Sequence, residues 1–155
     1  MATHYLWVTF YGRETPLQVP MGQADYEELL SDLKALAAGS SELKAFYLFP
    51  ISDKLSALFS IREVQTVRFA TKSGGEPSLA GGVAFYLKGR SAPLVFDYTG
   101  KGPLDDMFHG LAATHYDDAI PGCVMLTDGS GQPAFLRLDE IQYAIVHSEL
   151  IQRPS

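Results

Sequence analysis

Two stretches decide how this chain is read: "YLWVTFYGRETPLQV", residues 5–19, and "GVAFYLKGRSAPLVF", residues 82–96. Laid over each other, Gly12-Arg13 meets Gly89-Arg90, and Pro16-Leu17 meets Pro93-Leu94. In each, an apolar or alternating run reaches a Gly-Arg turn and a second short run follows. That pattern predicts a β-hairpin.

Working outward, the match continues. After one inserted residue "YEELLSDLKAL" falls on "LDDMFHGLAAT": Leu33 meets Leu111, Ala35 meets Ala113, and Glu27-Glu28 meets Asp105-Asp106. Further on, "ALFSIREVQTVRF" falls on "AFLRLDEIQYAIV". There Ala57 meets Ala134, Glu63 meets Glu140, and Gln65 meets Gln142. The same order of features, kept at a nearly constant offset, is the mark of an internal repeat. The expected fold class is therefore α+β: a duplicated strand-strand-helix-strand-strand-strand unit, mainly antiparallel, with one helix per half. Residues 1–70 form the first repeat, 71–82 a Gly/Ser/Pro-rich linker and 83–150 the second. A unit of about 70 residues buries little core alone, so the halves are expected to close on each other as a pseudo-two-fold imitation of a homodimer.

The helices are bounded by recognisable signals. Pro103 suits a first helical position, and Gly39 is placed to stop the first helix. "FYLFPISDKLSALFSI" and "CVMLTDGSGQPAFLRL" each read as a further hairpin, the second turning at residues 128–131. Last strands are expected near Val64–Phe69 and Ile141–His147.

Composition limits the functions worth weighing. The chain has 155 residues, 46% of them hydrophobic and 19% charged, enough apolar material for a packed core. Twelve Lys and Arg are scattered among eighteen Asp and Glu, for a net charge of −6. Phosphate backbones are gripped by clustered cations, so nucleic-acid binding is disfavoured. No apolar run approaches a bilayer span and the N-terminus lacks a signal-peptide pattern, so no membrane association and a cytoplasmic location are expected. The single cysteine, Cys123, lies in the apolar run "GCVML" and reads as a buried structural thiol.

The stretch that looks most like chemistry is "LDDMFHGLAATHYDD", residues 104–118. Leu104, Met107, Phe108 and Leu111 share one helical stripe, as Tyr26, Leu29, Leu30 and Leu33 do in the first half. Asp105, Asp106 and His109 fall off it, on a face expected to be solvated. Asp105 and His109 are four apart, and with His115 and Asp117 they are the weak candidates for a metal site. The set matches no ligand signature. No catalytic residue, cofactor site or cofactor is expected.

Arg13 with Glu63 and Arg90 with Glu140 recur at matching places: one expectation is an Arg–Glu pair within or between halves, and the favoured alternative to a binding role is that Gly-Arg turns the hairpin and Glu is a polar edge residue. Tyr5, Trp7 and Tyr11 alternate with Leu6, Val8 and Phe10, so this strand is expected to be covered on both faces. The function that follows is a non-catalytic protein-binding or assembly module, partnered by another protein or by copies of itself. The alternative is a small-molecule or metal-binding protein or enzyme with its site in the cleft between the halves.

Overall fold

The computed structural model describes residues 4–40, 42–70, 72, 74, 79, 81–96, 103–118, 120, 122–127 and 133–151. They form a mixed α+β fold of antiparallel ladders with two α-helices. The chain runs β1 His4–Phe10, β2 Leu17–Met21, α1 Gln23–Ala37, β3 Phe46–Pro50, β4 Leu55–Ser60 and β5 Val64–Ala70. The same order then recurs as β6 Val83–Leu87, β7 Leu94–Phe96, α2 Pro103–Ala112, β8 Cys123–Thr127, β9 Pro133–Arg137 and β10 Ile141–His147. A single 3₁₀ turn leads into each last strand, Ile61–Glu63 before β5 and Leu138–Glu140 before β10.

Local chemistry sets these boundaries. At both Gly-Arg turns glycine has positive φ, +77° at Gly12 and +75° at Gly89, a conformation that side chains resist. The following Arg closes each turn: Arg13 N–H donates to Phe10 O at 3.1 Å and Arg90 N–H to Leu87 O at 3.3 Å. Gly39, at φ +95°, ends α1, and Ser40 N–H caps the freed carbonyl of Ala35 at 2.9 Å. Pro103 is the first residue of α2, as the sequence predicts. The turn at 128–131 and most of the 71–82 segment lie outside the described residues.

A five-stranded sheet, ordered β3-β4-β10-β6-β7, forms the middle of the molecule; β2-β1-β5 and β8-β9 are separate sheets. Its centre is the antiparallel ladder of β4 with β10, from Phe59 opposite Tyr143 to Leu55 opposite His147. β4 is buried along its whole length, and β10 at every residue but His147. Strands covered on both faces carry apolar residues at successive positions, and both do. One face presents Phe46, Leu58, Phe85, Ala144 and Val146 to a core with α2 and with Leu126 and Leu136 of the β8–β9 hairpin. The other presents Tyr47, Ala57, Phe59, Tyr143 and Ile145 to a core with α1 and the inward side of β1, Leu6, Val8 and Phe10.

Three expectations are corrected. Cys123 is exposed, because β8 belongs to a two-stranded hairpin with a single covered face: Leu126 points in, and Cys123 and Met125 point out. The N-terminal strand is buried on one side only; Tyr5, Trp7 and Thr9 stay half-exposed, with Trp7 lying against Gly74. Asp105 and His109 are half-buried rather than solvated, and of the three only Asp106 is exposed.

Leu58, fully buried between the central sheet and α2, tests this packing. Leu58→Ala should cost about 2–5 kcal/mol in urea unfolding, as cavity formation at a core leucine does. Val95→Ala, at a side chain 51% exposed, should stay within about 0.5 kcal/mol.

Candidate functional site

Two places stand out: the polar junction where the two Gly-Arg hairpins meet, and the outer edge of β5. The junction lies where a cleft between the halves is expected, and an open pocket of about 480 Å³ is present there, lined by Tyr11, Gly12, Glu63, Lys88, Gly89 and Gln142. Arg13 projects from the first hairpin and donates through Nε to Gln142 Oε1 at 2.5 Å and through Nη2 to Leu87 O at 2.8 Å. Its guanidinium lies 5.2 Å from the Tyr86 ring centroid and 5.8 Å from that of Tyr143, within cation–π range. Gln142 is 2% exposed and returns the contact, its Nε2 donating to Tyr11 O at 2.7 Å. Glu63 completes the cluster through Lys88, 2.9 Å away. The expected Arg–Glu pair is thus replaced by Arg13–Gln142 and Lys88–Glu63, both spanning the two halves. Arg90, Gln65 and Glu140, at the matching positions, are exposed. Gln142 could be singled out in sequence only through its match to Gln65; nothing local announced its burial.

Burial raises the Tyr143 phenol well above its ordinary value near 10, Tyr86 adds to the rise, and the Arg13 charge opposes it. Tyr47 is raised too, first by burial and then by its hydrogen bond to Asp32, 2.7 Å away.

The weak metal candidates are not brought together. Asp105 and His109 do meet, with His109 Nε2 3.2 Å from Oδ1 of Asp105. The same nitrogen lies 2.6 Å from Ile151 O. Facing two acceptors, Nε2 must carry the proton, so this histidine is engaged as a donor tying α2 to the last described turn. His115 instead sits in an isolated bridge with Lys44, its backbone N–H reaching Asp118. Among the described residues no three His, Cys, Asp or Glu gather in a form able to hold a metal ion. No helix among them is long and apolar enough to cross a membrane.

The β5 edge is of a different kind. β5 pairs with β1 on one side, and the described ladders place no strand on the other. An unpaired edge is a row of N–H and C=O groups ready to add a strand, which proteins ordinarily guard. Other edges here carry such guards: β2 contains Pro20, β3 ends at Pro50, and β7 has three residues. β5 runs for seven residues without proline, and Arg68 is its one charge. Beside it a groove of about 380 Å³ lies against α1, lined by Leu30, Leu33, Leu36, Ile61, Val67 and Phe69. Phe69 is 45% exposed.

Comparison with protein-family models, with curated proteins and with solved structures gives no match in any of the three.

Two outcomes test the junction. In a double-mutant cycle, Arg13→Ala and Gln142→Ala should each cost about 1–3 kcal/mol and be strongly non-additive, whereas Arg90→Ala should be nearly silent. With pH the sign is fixed by the raised phenols: above about pH 10 the unfolded chain loses tyrosine protons that the folded chain keeps, so stability falls as pH rises. Urea midpoints from about pH 8 to 12 should show that decline, and Tyr143→Phe should make it shallower.

Proposed function

We propose that the protein is a non-catalytic binding and assembly module. In this reading two copies of one strand-strand-helix-strand-strand-strand unit are fused into one pseudo-dimeric domain, which takes a partner polypeptide at the open edge of β5. Several correspondences support the duplication. Tyr11 N–H donates to Glu63 O at 3.2 Å and, at the matching place, Lys88 N–H donates to Glu140 O at 2.9 Å. β1 lies between β2 and β5 as β6 lies between β7 and β10. The β3–β4 and β8–β9 hairpins pair in corresponding register, Phe46 opposite Ser60 and Cys123 opposite Arg137. A full pseudo-two-fold would also seat β9 on β5, a pairing the described ladders do not include.

The observation that carries the function is the β5 edge, long, lacking proline and flanked by an apolar groove. Strand addition supplies main-chain hydrogen bonds, and side-chain pockets beside the edge supply selectivity. An internal parallel supports this reading: β10, which pairs with β6 as β5 pairs with β1, carries β4 on its other side.

A photo-cross-linking residue at Gln65, exposed on β5, should capture a polypeptide stoichiometrically under native conditions. The same probe at Arg90, exposed on the second hairpin, should capture none. Equal capture at both positions, or none at Gln65, would remove β5 as the working surface.

A further inference from the structure

We infer that the polypeptide taken up at β5 is the β8–β9 hairpin of a second copy of this chain, added in the way β3–β4 is added to β10 within one chain. The inference rests on the duplication proposed above and identifies the partner of that edge.

Within the chain, β3–β4 has two covered faces. Tyr47 and Phe59 lie in the core of their own half, while Phe46 and Leu58 lie in the core containing α2, with Leu48 packed against it. There they cover the α2 stripe, and Leu104, Met107, Phe108 and Leu111 are all buried.

Shifted by the interval from Gly12 to Gly89, Phe46, Leu48 and Leu58 become Cys123, Met125 and Phe135. These side chains are exposed: Met125 is 60% exposed, Phe135 54% with the Arg137 guanidinium 5.6 Å from its ring centroid, and Cys123 is exposed as well. The surface they would cover is itself only partly covered. In the α1 stripe only Leu29 is buried; Tyr26, Leu30 and Leu33 remain half-exposed beside the groove. The chain thus carries one unused hairpin face and one unused edge-and-helix face, complementary by the pattern of its own centre.

The register follows from the internal pair. β4 sets Leu58 opposite Ala144 and Phe59 opposite Tyr143. The same shift sets Phe135 of one copy opposite Val67 of the other, and Leu136 opposite Thr66. Pro133, unable to donate to a ladder, is at the first position of β9, where a proline is tolerated. One difference weakens the contact. On the far face of β10, Tyr143 and Ile145 pack into the donor's core, and at their places β5 has Thr66 and Arg68. The association therefore lacks that aromatic layer and is reversible. It uses two different surfaces, so it is heterologous: copies close by reciprocal exchange or extend head to tail.

Cysteine pairing tests this on the full chain. In a Cys123→Ser background, Val67→Cys and Phe135→Cys are made separately and together, and circular dichroism melts confirm that each variant folds. Directly opposed strand residues lie within disulfide reach. Mixing the two single variants under mild oxidation should give a covalent dimer that neither gives alone. Light scattering of the unsubstituted protein should show mass rising with concentration, and Phe135→Glu should weaken association by more than about tenfold, since it buries an unpaired charge. An intrachain bond in the double variant with no dimer in the mixture would overturn the inference, because the hairpin then closes on its own chain. No bond in either sample would overturn it too. Capture of a different protein at Gln65, with no self-pairing, would sink this inference and leave the binding module standing.

Discussion

The ladder between β4 and β10 is the constraint on which the rest of the structure depends. It joins a strand from the first half of the sequence to one from the second, and both strands are buried on both faces. Neither core closes without it: Phe46 and Leu58 from the first half complete the core around α2, and Tyr143 and Ile145 from the second half complete the core around α1. A slip of one residue would exchange the two faces of a strand. Here it would move Phe59 and Tyr143 into the space of Leu58 and Ala144, so shape fixes the register even though both faces are apolar. Arg13 reinforces the arrangement from outside, bonding Gln142 and the Leu87 carbonyl of the two strands next in the sheet.

The two halves use the same elements unequally. Arg13 is committed to the junction and Arg90 is exposed; Gln142 is buried and Gln65 is exposed. The asymmetry follows from which sheet is sandwiched. β6 and β10 lie between two cores, so residues on both faces are withdrawn from water, down to the Gln142 amide, which must then be hydrogen-bonded. β1 and β5 have a core on one side only, and their outer face retains Thr9, Thr66 and Arg68. Tyr143 and Ile145 of β10, where β5 has Thr66 and Arg68, thus mark where a second layer packs.

Much of the fold was legible because its signals are local. The Gly-Arg turns, the Pro103 helix start, the Gly39 stop and the strand runs each depend on a few adjacent residues, and the structure places elements accordingly. Sequence reasoning failed where a distant strand decided the outcome. Cys123 sits in a run as apolar as β4, yet no second layer covers its side of the hairpin, so it is exposed. His109 falls on the polar side of α2 by its angle, but the end of the chain returns to meet it there, at the Ile151 carbonyl. The Arg–Glu expectation paired the right hairpins with the wrong groups, since helical or strand spacing carries no information about which polar side chain is buried across a junction. The β5 edge was legible only as a general expectation of exposed strands: Thr66 and Arg68, where β10 has Tyr143 and Ile145, mark a more open outer face, but they carry no information about whether the strand edge is paired.

If the chain is two copies of one unit, a count of surfaces explains why its ends behave differently. Each unit offers one hairpin with an outward apolar face and one strand edge beside a helix stripe. Fusing two units and seating the first hairpin on the second edge satisfies one donor and one acceptor. The second hairpin and the first edge are then left over, and these are where the exposed Met125, Phe135 and Phe69 lie. Isolated exposed hydrophobics require no explanation, but here they fall on two surfaces whose internal counterparts are buried against each other. The polar substitutions Thr66 and Arg68 keep the leftover edge from being a permanent sticky strand, and the missing prolines keep it from being blocked. An edge tuned between those limits suits the reversible strand addition proposed above, in which contacts form and dissolve with concentration.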